Sequence, residues 1–370
     1  MVDLKGQYEN IRKEVNQEIK DVIDNTAFIN GPQVKKFAAD LEKYLHVKHV
    51  IPCGNGTDAL QIALMGLGLK PGDEVITPDF TFIATVEVVK LLGLKPVLVD
   101  VDPNYFTIDI EHLKKIITPA TKAIVPVHLY GQCANMEAIM QLAEEKNISV
   151  VEDVAQAIGS TYTFSNGSTK KAGCVGDIGC TSFFPSKNLG AYGDGGALYT
   201  NDDELAEQLR MIVNHGSKKK YYHQVTGVNS RLDTLQAAIL KVKLRHLDEY
   251  NQARKQAADI YDQLLSDVDE VQIPKRSKQS EHIFHQYTLI VKNGRRDELK
   301  SFLADHNIPS MIYYPVPMHK QEAFLEDVKS GDSYPVSEAL SKKVLSLPMH
   351  TELTLEQQEY IADTIKSFFK

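Results

Sequence analysis

Lys187 lies in TSFFPSKNLGAYGDGGAL, after a Phe-Phe-Pro run and before Gly190, Gly193, Gly195 and Gly196. A free lysine has a pKa near 10.4, so one that reacts as an amine at neutral pH needs burial or a neighbouring charge to reach about 7–8. Phe183, Phe184 and Tyr192 could supply the apolar setting. The glycines would offer close backbone approach and unusual dihedrals. The plain alternative is a solvated surface lysine.

Three other stretches carry compatible chemistry. VVEDVAQAIGS ends an apolar run in Glu152 and Asp153, and a buried acid needs a cationic partner. Asp153 facing a pyridine nitrogen would form a charge-assisted hydrogen bond of about 1.5–3 kcal/mol; capping the next segment is its other reading. Gln156 could meet a phenolic oxygen on such a ring, or line the turn. CGNGTDAL places two glycines and Thr57 at a helix start, where amides and a hydroxyl can hold a phosphate. Here the plain reading is a glycine turn with Thr57 as N-cap. Ser182 could donate to the same phosphate. Phe82, in DFTFIAT, could stack on a planar ring or pack in the core. The glycine spacing fits neither a dinucleotide fingerprint nor a P-loop.

Elements must hold these residues. Apolar runs at 49–53, 74–78, 95–100, 122–127 and 148–153 alternate with amphipathic helical stretches, the pattern of β-α-β units. This predicts an α/β fold with a mostly parallel sheet flanked by helices, which binds ligands beyond the carboxyl ends of its strands. Further strands are expected in IGCTSFF and GALYT, with a helix from Asp202 and Asp203 towards Asn214. Residues 231–266 read as long and helical, leading to a smaller C-terminal α/β domain built from HQYTLIV, a helix at 295–306, PSMIYYP and a helix at 354–369. The expected division is 1–243, with an N-terminal helical segment, and 244–370.

The 370 residues carry a net charge of −8 with scattered basic residues, which argues against a nucleic-acid partner. No run of about 18 apolar residues and no apolar leader occur, so neither a membrane partner nor export is expected and the location expected is cytoplasmic. Cys53, Cys133, Cys174 and Cys180 show no metal-ligand or disulfide spacing, so they are expected to be reduced and structural, with no metal bound.

An acid, a lysine, a phosphate cradle and an aromatic plate together suit pyridoxal 5′-phosphate (PLP). The chain resembles the DegT/DnrJ/StrS family of sugar-nucleotide aminotransferases, of fold type I. The likeness runs through FINGPQVKKFAADLEKYL, GNGTDALQIAL, EDVAQAIGS, GDIGCTSFFPSKNLGAYGDGGA, GVNSRLDTLQAAIL and YYPVPMH. It implies that Lys187 carries PLP, Asp153 pairs with the ring nitrogen and Phe82 stacks on the ring. Gly56, Thr57 and Ser182 would hold the phosphate, with Gln156 near the ring oxygen. Asn229 would reach the phosphate of a neighbouring subunit's cofactor, which implies a homodimer with shared sites. Arg231 and His319 match positions that meet the substrate; a salt-bridged helix-start Arg and a loop His are their plain readings. The implied reaction moves an amino group from L-glutamate, leaving 2-oxoglutarate, to a keto-sugar nucleotide. The motif form is most similar to enzymes acting at the 3-position of UDP-linked sugars, including a 3-keto-N-acetylglucosaminuronate, in polysaccharide biosynthesis. The alternatives are a 4-keto-sugar aminotransferase and a non-catalytic regulatory protein.

Overall fold

The computed structural model describes residues 1–328 and 331–370. Its main sheet has seven strands in the order His49–Cys53, Gly196–Thr200, Ile178–Ser182, Ser149–Asp153, Thr121–Ile124, Glu74–Pro78, Lys95–Val99. Within it, Gly196–Thr200 runs antiparallel to both neighbours and the other pairs are parallel. The mostly parallel α/β expectation holds.

Alternation along the strands builds the layers. Val50, Ile76, Ile124 and Val150 face a cluster with Phe37 and Leu41 of helix Pro32–Leu45 and Leu240 of Thr234–Leu244. Their neighbours Ile51, Val75, Ala123 and Val151 face another, with Leu60 of Gly56–Gly66 and Leu209 of Asp203–Ile212. Successive strand residues point to opposite faces, so a sheet covered on both sides needs unbroken apolar runs. Asp202 caps its helix as the charge pattern implied, its Oδ1 accepting from Leu205 N at 2.8 Å.

A second, antiparallel sheet joins Val271–Gln272, Tyr287–Val291 and Val344–Leu347. Helices Leu247–Leu264, Arg296–Asp305 and Leu355–Phe369 pack with it around Leu289, Leu299, Leu345 and Ile361. One reading needs correcting here. The long helical stretch is two helices, Thr234–Leu244 and Leu247–Leu264, interrupted at Arg245 and His246. In PSMIYYP, Met311 makes one bridge to Ser346, and Tyr313 and Tyr314 line a cavity. Among the described residues no helix is long and apolar enough to cross a membrane. All four cysteines are buried and unpaired.

A buried polar knot sits under the carboxyl end of strand Ser149–Asp153. Glu152, fully buried, accepts from Val175 N and Gly176 N, both at 2.7 Å, and from Gly173 N at 2.9 Å. His128 Nε2 lies 2.8 Å from its second oxygen, and Ala134 N donates to His128 Nδ1, so the ring hydrogen belongs on Nε2. Burial opposes the charge of Glu152, but His128 and the amides outweigh it and lower its pKa below 4.5. Glu152→Gln should therefore destabilise the fold by about 1–3 kcal/mol at neutral pH in urea titrations. Because the folded-state pKa is depressed, that stabilisation is present above the ordinary carboxylate range. It shrinks as the pH falls below about 4. A constant gap between the two proteins down to pH 3 would contradict this account.

Candidate active site

The carboxyl ends of Glu74–Pro78, Ser149–Asp153, Ile178–Ser182 and His49–Cys53 meet at one edge of the sheet. A cavity of about 820 Å³ opens there. Gly56, Thr57, Phe82, Asp153, Gln156, Ser182 and Lys187 all line it. Local sequence could nominate these residues; strand order brings them together.

Lys187 sits in a turn closed by its own amide, which donates to Phe184 O at 2.8 Å. Burial lowers its pKa from 10.5 to about 8, against the opposing attraction of Asp153. Among the described residues no acceptor holds its Nζ. Phe184 lines the cavity, while Phe183 is buried edge-on against Phe37 at 5.4 Å. Tyr192 does not serve Lys187: its ring lies 5.3 Å from Lys243 Nζ and edge-on to Tyr8. The glycines are explained by space and not by dihedrals, since none of Gly190, Gly193, Gly195 and Gly196 has a positive φ. A Cβ at Gly190 would lie 2.2 Å from Pro185 O, and one at Gly196 2.3 Å from Asn55 O.

Asp153 is buried, with Oδ1 accepting from Ala155 N at 3.0 Å and Oδ2 from Thr85 Oγ1 at 2.8 Å. Each oxygen keeps a further lone pair for a cationic partner. Gln156 is fixed at both ends, Oε1 accepting from Tyr130 N at 2.7 Å and Nε2 donating to Tyr314 Oη at 3.0 Å. Phe82 stands 55% exposed on the cavity rim, 6.2 Å from the Tyr314 ring.

At the other end of the cavity, Asn55 caps helix Gly56–Gly66 by accepting from Asp58 N at 2.8 Å. That role had been one reading of Thr57. The Gly56 and Thr57 amides keep no partner among the described residues, and both residues line the cavity together with Ser182, whose Oγ accepts from Phe184 N at 3.2 Å. A Cβ on Gly56 would stand 2.6 Å from Ser182 Cβ, so the two loops touch where a phosphate would need both. An uncommitted amine, a buried carboxylate with spare lone pairs and this cradle fit a pyridine ring bearing a phosphate.

Three expected residues lie outside the cavity lining. Asn229 is exposed, and Arg231 is half-buried with no acidic partner among the described residues. Between them Ser230 points inward, accepting from Gly54 N at 2.8 Å and donating to Asp58 Oδ2 at 2.6 Å. His319 has both ring nitrogens engaged, Nδ1 2.7 Å from Asp79 and Nε2 3.2 Å from Glu338. Local pattern singled out neither Thr85, Tyr313, Tyr314 nor His285. The YYPVPMH stretch was the one signal available for the tyrosines.

The sequence fits the DegT/DnrJ/EryC1/StrS aminotransferase family over residues 9–366. It is 48% identical to a Geobacillus stearothermophilus pleiotropic regulatory protein, covering 100% of this chain and 98% of that one. It is 46% identical to the UDP-N-acetyl-3-dehydro-alpha-D-glucosamine 3-aminotransferase of Acidithiobacillus ferrooxidans, covering 99% and 96%. Identity is 44% to the UDP-2-acetamido-2-deoxy-3-oxo-D-glucuronate aminotransferase of Pseudomonas aeruginosa, covering 95% of each. Among solved structures, Bacillus subtilis NtdA with bound cofactor PMP superposes with a TM-score of 0.89 at 32% identity, covering 97% of this chain and 82% of that one.

The contact at Gly56 gives a direct test. Gly56→Ala should leave the fold intact and weaken PLP binding about ten-fold, since forcing one methyl into such a contact costs about 1–3 kcal/mol. Titration of apoprotein with PLP, followed by absorbance, reads the change. Unaltered affinity would show that the Gly56–Ser182 contact does not shape the phosphate end.

Proposed function

Because this chain belongs to the DegT/DnrJ/EryC1/StrS aminotransferase family, we propose that it moves the amino group of L-glutamate to the 3-keto carbon of a UDP-linked sugar. PLP is its cofactor, carried on Lys187. The observation that carries this reading is one cavity with a desolvated lysine and a buried aspartate on its walls and free helix-start amides at its end. The two UDP-sugar relatives, 44% and 46% identical, favour C3 over C4. A 3-keto uronate would further give the unpaired Arg231 a carboxylate, which a guanidinium matches bidentately.

When bound, PLP supplies an electron sink that lets an amino group leave one carbon and join another. The rest falls to the chain. Lys187 Nζ, with its pKa near 8, takes the proton from the glutamate α-carbon and returns one at the sugar carbon. With the cofactor bound, Asp153 would hold a proton on the pyridine nitrogen. Phe82 would cover one ring face, Gln156 would stand near the ring oxygen, and Thr57, Ser182 and the Gly56 amide would hold the phosphate. The 48% identical relative is named a pleiotropic regulatory protein, but a regulatory role alone does not call for a desolvated lysine in a cavity with an acid.

The proposal includes a homodimer with shared sites. Phe28 and Ile29, 46% and 53% exposed, adjoin the segment carrying Asn229 and Arg231 through the Ile29–Asp233 bridge. With Ser230 buried between them, exposed Asn229 and half-buried Arg231 are available to a second copy. A cytoplasmic location is part of the same proposal, consistent with four buried, unpaired cysteines.

Borohydride reduction of the holoenzyme should fix PLP to the peptide containing Lys187, and Lys187→Ala should abolish turnover. Label on another lysine, or none, would sink the assignment. Among UDP-, dTDP- and GDP-linked keto sugars, a UDP-linked 3-keto sugar should be aminated fastest with glutamate; a 4-keto preference would overturn that choice. For shared sites, Lys187→Ala and Asn229→Trp chains are unfolded, mixed equally and refolded. Half the dimers should be hybrids, so about a quarter of all sites should be intact and recover that share of activity. Recovery no higher than the mean of the two parents, with hybrids confirmed by mass, would place Asn229 in its own chain's site or in none.

A further inference from the structure

The cradle, residues 55–57, lies between two points fixed by one hydroxyl. Ser230 is 2% exposed, and its Oγ accepts from Gly54 N at 2.8 Å and donates to Asp58 Oδ2 at 2.6 Å. A backbone amide can only donate and a carboxylate can only accept, so the hydroxyl hydrogen has one place to go. Gly54 directly precedes the cradle and Asp58 directly follows it. The three groups are closely packed: a Cβ on Gly54 would stand 3.0 Å from Asp58 Oδ2 and 3.3 Å from Ser230 Oγ.

Ser230 is itself anchored. Its amide donates to Val213 O at 3.1 Å, and Val228 N donates to Ile212 O at 2.8 Å, which fastens the segment to the carboxyl end of helix Asp203–Ile212. The same helix meets the far end of the cradle helix Gly56–Gly66, where a Cβ on Gly66 would lie 2.6 Å from Leu209 Cδ2. The cradle helix is thus held at both ends by one neighbouring unit, and Ser230 supplies the contact at the cradle end. Asp58 lines the cavity and Ser230 does not. Their bond therefore draws one Asp58 oxygen towards a residue outside the lining. A carboxylate free to swing into the phosphate end would repel a phosphate.

We propose that Ser230 is a positioning residue for the phosphate end of the cofactor site. It lies outside the cavity and acts through Gly54 and Asp58. Its hydroxyl sets the spacing of those two residues, and with it the direction of the uncommitted Gly56 and Thr57 amides between them. It also tethers the Asp58 carboxylate. The proposal rests on the reading of Gly56, Thr57 and Ser182 as the phosphate site. It adds that Asn229 and Arg231 flank Ser230, so a chain's cradle and the segment it offers to a second copy share one anchor.

Titration of PLP-free protein with PLP and, separately, with pyridoxal, which lacks the phosphate, tests this without turnover. Wild type should bind PLP far more tightly than pyridoxal. Ser230→Ala should weaken PLP binding about ten-fold, the equivalent of one charge-assisted hydrogen bond, and leave pyridoxal within about two-fold. Ser230→Thr, which keeps the hydroxyl, should retain the wild-type ratio of the two affinities to within about two-fold. A structural role alone would weaken both ligands together and leave their ratio unchanged. That result in folded Ser230→Ala overturns the proposal, as does an equal loss in Ser230→Thr. If Ser230→Ala fails to fold, Ser230→Cys, a thiol of nearly the same shape and weaker hydrogen bonding, carries the same expectation. Failure of the parent reading looks different: wild type itself would then bind pyridoxal as tightly as PLP.

Discussion

Withdrawing an ammonium from water is unfavourable, and the cleft imposes that cost on Lys187 with one carboxylate, Asp153, opposing it. The resulting pKa of about 8 leaves an appreciable unprotonated fraction near neutral pH. More acid nearby would restore the charge; more water would restore the ordinary pKa. The surroundings keep both in check. Phe184 lines the same cavity, the Asn188 side chain is engaged by Asn251, and Asp153 is held in place by Thr85 and Ala155. Below, Glu152 ties the strand bearing Asp153 to residues 173–176, so the carboxylate position depends on a knot that never touches the cavity.

What could be read from the sequence was whatever local chemistry encodes. The runs at 49–53, 74–78 and 196–200 are strands over those same residues, because a sheet covered on both faces needs a near-continuous apolar run that stands out from its flanks. Gly56, Thr57, Asp153 and Lys187 announced themselves because each sits where a strand gives way to a turn or helix. Residues acting through distant partners left no such mark. His285 stands just ahead of a strand of ordinary composition, and its partner Asn188 is visible only after folding. Tyr192 misled for the opposite reason: nearness in sequence assigned it to Lys187, whereas its ring lies by Lys243. The glycines were rightly noticed, but crowding explains them where left-handed backbone does not.

The cavity is also two-sided in a way the β-α-β pattern does not foretell. Tyr313, Tyr314 and His285 come from the C-terminal part of the chain. Two buried aspartates beyond the main sheet strands hold that part in register. Asp79 accepts from the backbone and ring of His319, both at 2.7 Å. Asp100 accepts from Val336 N and Ser337 N, both at 2.9 Å. Asp79 directly precedes the segment bearing Phe82 and Thr85. One carboxylate thus sets the aromatic rim, the Asp153 contact and the C-terminal wall relative to one another.

The pairing of Cys53 with Gly196 has a consequence in time. The strand that leads into the phosphate cradle is an outer strand, and its sheet partner there is the antiparallel strand formed after the lysine turn. Neither half can be positioned until a segment far along the chain has been synthesised and inserted between His49–Cys53 and Ile178–Ser182. Contacts of such long sequence separation form late, because loop-closure entropy must be overcome before they contribute. The close approach of Gly56 to Ser182, and with it that end of the cavity, is therefore a late feature of assembly.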